Sequence, residues 1–437
     1  MRLRVALVDL EEDRHGCNNK DQTGTYGSVM DSDGLAGRVF NFLKKRLVRL
    51  PVLSFAYVAA ILRRRGHEVT IHSALPEHAD IVLIATSIIG YEQEIAFARE
   101  VKRHLGCTVG FTGAFAGARP ELFLEGGDFV IDGEPDAWAL ALDDTATHSG
   151  VIQVEPVCDL DALPFPDWNG FPIQKYGYRP LLKRRPFLPM QTSRGCPFAC
   201  PYCQYLPIQG TRWRSRNPTN VLDEIEYLIR DFGVRSILFR DIVFSLDMKR
   251  AKRIAEGMLN RGLRVAWGCE TRVDCLSREL VGLMRRAGLR FINLGIETPD
   301  AETLERHGRK PLEQTHLEDI VRFAEGEGVL VNAFYLMGFP EDTEERVRRT
   351  IDYACCLDTS LAQFGVVTPY PGTPFHDEVR AAGRLLGRDW REYTTYNPVM
   401  KLDHLASGDI LRLKREAYNR FFLRPRWMLR RGLGLLT

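Results

Sequence analysis

Three cysteines stand close together in a chain that otherwise scatters them. Cys196, Cys200 and Cys203 lie in the run Ser193-Arg194-Gly195-Cys196-Pro197-Phe198-Ala199-Cys200-Pro201-Tyr202-Cys203. Thiolates are the usual ligands of iron–sulfur clusters. Three of them at C-x3-C-x2-C spacing hold three irons of a [4Fe–4S] cubane and leave the fourth open to a small molecule. The amine and carboxylate of an amino acid can chelate that iron, and S-adenosylmethionine (SAM) carries both groups. An electron passed from the cluster would then break a carbon–sulfur bond and release a 5′-deoxyadenosyl radical. Two blander readings stand beside this one: a zinc site completed by a distant ligand, and three unrelated thiols. Zinc sites more often pair one C-x2-C with another.

The remaining cysteines, Cys17, Cys107, Cys158, Cys269, Cys275, Cys355 and Cys356, are spread along the chain and read as small buried hydrophobes. The opening run MRLRVALVDLEED turns acidic too soon for a secretory signal. A reducing cytoplasm is therefore expected, where disulfides are a poor explanation. Lys and Arg number 59 against 57 Asp and Glu, a formal net charge of +2, which gives no reason to expect a nucleic-acid partner. No apolar run reaches the roughly 18 residues that span a bilayer. A chain of 437 residues is long enough for two or three domains.

Some scaffold must carry the cysteine loop, and the chain reads as α/β throughout. Over residues 1–150, short apolar strands at 4–8, 69–72, 81–86, 107–111 and 129–131 alternate with helices at 55–65 and 91–105. That pattern predicts a parallel, doubly wound, Rossmann-like sheet. Residues 11–52 form a long irregular insertion, and loops of that length are often functional. Residues 151–186, rich in proline, read as a linker. Strands are then expected at 188–192, 236–239, 264–268, 291–295, 330–336 and 363–367, with helices between them. One helix has clear ends: Asn217 caps it, Pro218 suits its first turn and Gly233 stops it. Six strand–helix units predict a partial, TIM-like (β/α)6 barrel over 187–385, with its chemistry at the C-terminal ends of the strands. The cysteine loop follows the first of those strands. Residues 386–437 are expected to form a short helical tail.

The run from Ser193 to Phe198 resembles the cluster loop of the radical SAM superfamily, and in particular of its cobalamin-binding branch. So do Trp213-Arg214-Ser215-Arg216-Asn217-Pro218, Thr271-Arg272-Val273-Asp274, Gly295-Ile296-Glu297-Thr298, Gly338-Phe339-Pro340-Glu341 and Pro369-Tyr370-Pro371-Gly372-Thr373-Pro374. The likeness covers nearly the whole chain. It implies that Tyr202 packs on the adenine of SAM and that Asp241, ending the second barrel strand, faces the SAM amine. It implies that Arg272 pairs the SAM carboxylate and that Glu297 accepts the ribose hydroxyls. A structural ion pair of Arg272 and Glu297 is the alternative. Relatives commonly carry two successive acids where this chain has Asp241-Ile242.

The first sheet resembles the branch's cobalamin-binding domain. Leu53-Ser54-Phe55-Ala56-Tyr57-Val58-Ala59-Ala60 matches its first helix, and Thr86, Ser87, Gly113, Gly133 and Glu134 fall at strand ends, where open sheets bind ligands. An Asp-x-His-x-x-Gly signature begins at Asp13-Arg14-His15, but Asn18 replaces its glycine, so His15 reads as a loop histidine rather than a cobalt ligand. Thr112-Gly113-Ala114-Phe115 replaces the branch's Gly-Gly-Pro-His turn. A domain that has lost cobalamin and serves as a lid is the alternative.

The resemblance implies a cobalamin-dependent methyltransferase that uses a [4Fe–4S] cluster and SAM to methylate an unactivated carbon of a lipid or secondary metabolite. A flavodoxin- or ferredoxin-type donor would reduce the cluster. Ring closure, oxidation or rearrangement are alternative outcomes within the branch. A methylthiotransferase would add a second N-terminal three-cysteine cluster, and Cys17, Cys107 and Cys158 are too far apart for one. A cobalamin or iron–sulfur sensor is the non-enzymatic alternative. Residues 421–431 mix arginine with large apolar groups. They suit a helix packed on the barrel with arginines outward, or a peripheral contact with an anionic membrane.

Overall fold

The computed structural model describes residues 2–10, 20, 38, 42, 47–142 and 148–432. His15, Cys17 and the tail leucines Leu433, Leu435 and Leu436 lie outside the described residues.

Strands β1 (Arg4–Val8), β2 (Glu68–His72), β3 (Ile81–Ala85), β4 (Thr108–Thr112), β5 (Phe129–Asp132) and β6 (Gly150–Gln153) form one sheet. All pairs are parallel and the order is β2-β1-β3-β4-β5-β6. Every residue of β3 is buried, as expected of a central strand covered on both faces. Helix α1 (Leu53–Arg64) buries its first ten residues without a polar face, because protein surrounds it on every side. Helix α2 (Tyr91–Leu105) buries one face only and stops at Gly106, whose φ of 62° suits a residue without Cβ.

The sheet extends past the expected boundary at residue 150. Half-buried Gly150 and Ile152 alternate with exposed Val151 and Gln153 on this edge strand, so no buried apolar run announces it. The segment expected to be a linker is also packed. Leu160, Leu163, Trp168, Phe171, Tyr176 and Leu182 are buried in a core continuous with both sheets.

Strands β7 (Phe187–Met190), β8 (Ser236–Phe239), β9 (Ala266–Thr271), β10 (Leu289–Glu297), β11 (Leu330–Met337) and β12 (Leu361–Val366) form the second sheet, parallel and in sequential order. With β7 and β12 as its edges it is a partial barrel. Helix α3 (Pro218–Phe232) has the expected ends: Asn217 accepts from the Thr219 N–H, and Gly233 has φ 63°. Gly268 in β9 lets the Phe291 ring cross, since a Cβ there would lie 2.0 Å from it.

Helix α4 (Ser407–Phe422) lays Ile410, Leu413, Ala417, Tyr418 and Phe421 on the barrel's outer face. Beyond it the tail has two faces. Arg424 pairs with Asp358 at 3.0 Å and the Trp427 indole donates to the Ser360 carbonyl at 3.0 Å, while Leu423, Met428 and Leu429 stay exposed. No helix among the described residues is long and apolar enough to cross a membrane.

Candidate active site at the barrel mouth

The cysteine loop leaves β7 at the C-terminal end of the barrel, and its path depends on one glycine. Gly195 has φ 78°, and a Cβ there would lie 2.1 Å from the Arg212 carbonyl. This close approach lets Ser193–Arg194 pair with Arg214–Ser215 as a short antiparallel ribbon. The Cys196 N–H donates to Gly210 at 3.2 Å, and the Cys203 N–H to Cys200 at 2.9 Å. The loop thereby brings Cys196, Cys200 and Cys203 to the wall of one cavity of about 350 Å³.

No three His, Cys, Asp or Glu side chains among the described residues converge as ligands of a single ion would. A cubane seats each thiolate on a different iron, so three thiols along one wall fit that larger object. Burial pushes Cys196 up and Cys203 up to about 12. Those two thiols are therefore protonated at neutral pH when free, and binding a cluster must release their protons. Arg309 faces this wall. Its positive charge lies near the Cys200 sulfur, and it pairs with Glu297 at 3.0 Å and donates to the Gly295 carbonyl at 2.8 Å.

Tyr202, Arg272 and Glu297 line the same cavity. The Tyr202 ring meets Phe339 edge-on at 5.8 Å, and its buried hydroxyl has no partner among the described residues. Arg272 does not pair with Glu297. Its fork engages Asp274 at 2.9 and 2.8 Å, and its guanidinium lies 4.0 Å over the Phe198 ring. Glu297 sits where β10 slips register against β11, with φ 66°, and burial raises its pKa against the pull of Arg309 and Arg272. A non-glycine residue in that conformation is strained, a state that tends to persist at functional sites.

Asp241 belongs elsewhere. It is fully buried, and its carboxylate accepts from the Thr192 N–H at 2.6 Å, the Thr192 hydroxyl at 2.5 Å and the Ser193 hydroxyl at 2.8 Å. It ties β8 to the root of the cysteine loop and does not line the cavity, which corrects the expectation that it faces the SAM amine.

Several lining residues were missed. Arg240 pairs with Glu270, and the Tyr205 hydroxyl donates to Glu270 at 3.2 Å. Phe239 and Cys269 are partners in the β8–β9 register, so Arg240 and Glu270 are next-in-line neighbours. Once six sequential strands are assumed, that pairing is readable. Arg309 carried no such signal, since it reaches the cysteines from beyond β10.

At the ends of the first sheet the predicted cobalamin contacts turn inward. The Thr86 hydroxyl donates to the Thr112 carbonyl at 3.0 Å. Ser87 donates its N–H and hydroxyl to Glu94 of α2. Glu94 is also paired with Lys20 at 2.7 Å, and that ammonium lies near the Leu10 and Ala85 carbonyls, between the ends of β1 and β3. Glu134 accepts from Arg194 at 2.9 Å and Arg214 at 2.5 Å, and Asp136 accepts from Arg194 at 2.5 Å. These buried pairs join the first sheet to the ribbon that begins the cysteine loop. Gly113 and Gly133 are at strand ends as expected, with φ of 142° and 118°.

Known proteins are similar to this chain. Residues 190–354 match the family model of the Radical SAM superfamily. An uncharacterized methyltransferase of Pyrococcus horikoshii is 30% identical over 418 residues, 87% of this chain and 89% of that protein. The anaerobic magnesium-protoporphyrin IX monomethyl ester cyclase of Cereibacter sphaeroides is 31% identical over 273 residues, 61% of this chain and 43% of the cyclase. Among solved structures, the radical SAM methyltransferase TsrM from Kitasatospora setae, with cobalamin and a [4Fe–4S] cluster bound, superposes with a TM-score of 0.63 at 18% identity, over 97% of this chain and 85% of TsrM. The chain belongs to the radical SAM superfamily.

Proposed function

We propose that this chain is a radical enzyme that cleaves SAM at a [4Fe–4S] cluster on Cys196, Cys200 and Cys203 and methylates an unactivated carbon of a small molecule. The observation that carries this reading is the meeting of the three thiols in one cavity at the barrel mouth. A cluster bound there supplies the electron that splits SAM into methionine and an adenosyl radical. Arg309 balances the charge of the Cys200 thiolate and holds Glu297 for the ribose hydroxyls. Arg272, pinned by Asp274 and Phe198, presents its second terminal nitrogen to the SAM carboxylate. Tyr202 offers its ring to the adenine and its hydroxyl to a polar atom beside it. Ile242, Val243, Leu336 and Val366 line the same cavity and keep water from the radical.

Cobalamin, when bound, supplies a methyl group that a carbon radical can accept. Its site in this reading is the ledge over β3, β4 and β5, beside the point where strand order reverses between β1 and β3. The main chain at Gly113 and Gly133 would hold it there, since the side chains of Thr86, Ser87 and Glu134 are bonded to other protein groups. TsrM, a methyltransferase solved with cobalamin, supports the reading. A flavodoxin- or ferredoxin-type protein is the proposed electron donor, and a lipid or secondary metabolite the proposed substrate class.

Ring closure is the second reading, favoured by the likeness to the Cereibacter cyclase. Product analysis separates the two. Methyl transfer consumes SAM by two routes, so 5′-deoxyadenosine and S-adenosylhomocysteine should rise in step with methylated substrate. Turnover with 5′-deoxyadenosine and no S-adenosylhomocysteine would leave the radical assignment standing and remove methyl transfer. Protein reconstituted with hydroxocobalamin should carry a tightly held corrinoid spectrum, and substrate conversion without one would remove cobalamin.

A further inference from the structure

The barrel's other end, where its strands begin, concentrates positive charge. Two open clefts of about 430 and 370 Å³ share Arg184 and Arg290. Lys183, Arg430 and Arg431 complete the charged wall of the first, beside Leu181 and Leu182. Arg264 and Arg286 complete that of the second. Neither cleft has an Asp or Glu in its wall, in a chain whose formal net charge is only +2. Arg431 pairs with Glu325 at 3.0 Å. Arg184, Arg264, Arg286, Arg290 and Arg430 have no carboxylate within 4.0 Å among the described residues. Burial and the neighbouring Arg285 and Arg184 push the Arg290 pKa down. Cations gathered this way repel one another, and an anion from outside relieves the repulsion.

Aliphatic side chains flank these cations in water. Leu429, immediately before Arg430, is 83% exposed, and Leu423 and Met428 are 46% exposed. Leu259, in the second cleft, is 42% exposed. The tail that carries Leu429 is held to the barrel by Arg424 and Trp427, so these groups stand at a fixed place. Arginines that reach headgroups beside leucines that enter the acyl boundary are the chemistry of an anionic bilayer surface. A nucleic acid would meet the arginines equally well but would leave the leucines in water, and no aromatic ring lines either cleft for a base to stack on.

We propose that the strand-start end of the barrel docks on an anionic membrane, with the arginines on lipid headgroups and Leu429 and Met428 in the interface. Docked this way, the chain turns its mouth away from the bilayer, toward water-soluble partners. The proposal does not depend on which reaction the mouth performs.

The test is sedimentation of the full chain with vesicles of phosphatidylcholine alone or mixed with phosphatidylglycerol. The chain should pellet with the mixed vesicles only, and added salt should release it. Arg264→Glu and Arg286→Glu should each weaken binding roughly thirtyfold, from about 1 kcal/mol per charge at a charged surface and a change of two charges. Leu429→Asp should weaken it about tenfold or more. All three side chains are exposed and far from the mouth, so SAM cleavage should be unchanged and reports an intact fold. Failure to pellet with mixed vesicles overturns the proposal, as does pelleting indifferent to all three substitutions. Single-stranded RNA that displaces the vesicles and binds Leu429→Asp as tightly as wild type would assign the face to nucleic acid instead.

Discussion

Two parallel sheets in this molecule finish their strands in opposite ways. At the barrel mouth, residues that follow the strands face open space: Arg240, Arg272, Glu297 and the three cysteines share one cavity. At the ends of the first sheet, the polar side chains are spent on the protein itself. Thr86 bonds β4, Ser87 bonds α2, and Glu134 bonds two arginines of the barrel. The rule that ligands gather at the C-terminal ends of parallel strands identifies both places and cannot say which side chains are available there. Glu134 and Asp136 grip the ribbon that begins the cysteine loop, while Thr86 and Ser87 bond within the first sheet and its helix.

The comparison breaks most plainly at the cysteines. Replacing Cys196, Cys200 or Cys203 by Ala should abolish SAM cleavage and remove the iron that anaerobically prepared protein carries. The same change at Cys269, Cys275, Cys355 or Cys356 should leave the cluster's spectrum intact. Cys275 is the informative control, since it is buried beside Cys196 yet does not line the cavity. If Cys275→Ala loses iron as completely as Cys196→Ala, the three-ligand account is wrong.

A smaller effect is expected at the first sheet. Glu134→Ala would leave Arg194 and Arg214 buried with only Asp136 for charge. Breaking a buried pair in this way costs about 3–5 kcal/mol, measurable as a shift of the urea midpoint. Ser87→Ala, which removes the hydroxyl's bond to the Glu94 carboxylate, should cost about 1.5–3 kcal/mol. Should Glu134→Ala unfold like wild type and instead lose corrinoid binding, Glu134 is a cofactor contact and the two sheets are more alike than they look.

At the mouth, Glu297→Gln should keep the iron content and weaken SAM binding roughly tenfold to a hundredfold, through loss of hydrogen bonds to a charged group. The readout is a raised KM for SAM with a normal cluster spectrum. Unchanged KM would reduce the Glu297–Arg309 pair to a structural tie.

How much of this was legible follows the same division. The cysteines could be read because spacing along one loop is a local property. All six barrel strands could be read because each is a run of apolar residues with a helix after it. Asp241 reads as a ligand from its type and position, while the groups that bond it in the fold, Thr192 and Ser193, lie 48 or more residues away in sequence. Glu134 was read as a ligand in the same way, and the arginines it bonds, Arg194 and Arg214, lie 60 and 80 residues away. Strand β6 was hidden because it has no buried residue to mark it: Val151 and Gln153 are exposed, Gly150 and Ile152 half-buried.

An effect of similar size lies just outside the cavity, where Asp342 supports the turn that carries Phe339 against Tyr202. Its carboxylate accepts from the Gly338 N–H at 2.7 Å and the Phe339 N–H at 3.0 Å. Those bonds favour the ionised form, yet burial outweighs them, with help from Glu341, and raises the group from 3.8 to about 6. A carboxyl whose pKa is higher folded than unfolded stabilises the fold when protonated. That contribution is complete below about pH 4 and is lost as pH rises through about 6, a change on the order of 2–3 kcal/mol. Asn at 342 keeps an oxygen for both N–H groups and cannot titrate. Other carboxylates, Glu341 among them, titrate in wild type and variant alike and cancel in the difference to first order. The stability of wild type minus that of Asp342→Asn, from urea unfolding at a series of pH values, should therefore fall between about pH 4 and 6 and level off above. A flat difference across that window would mean that Asp342 ionises at its ordinary value, and that the mouth's outer turn is held by the two N–H bonds alone.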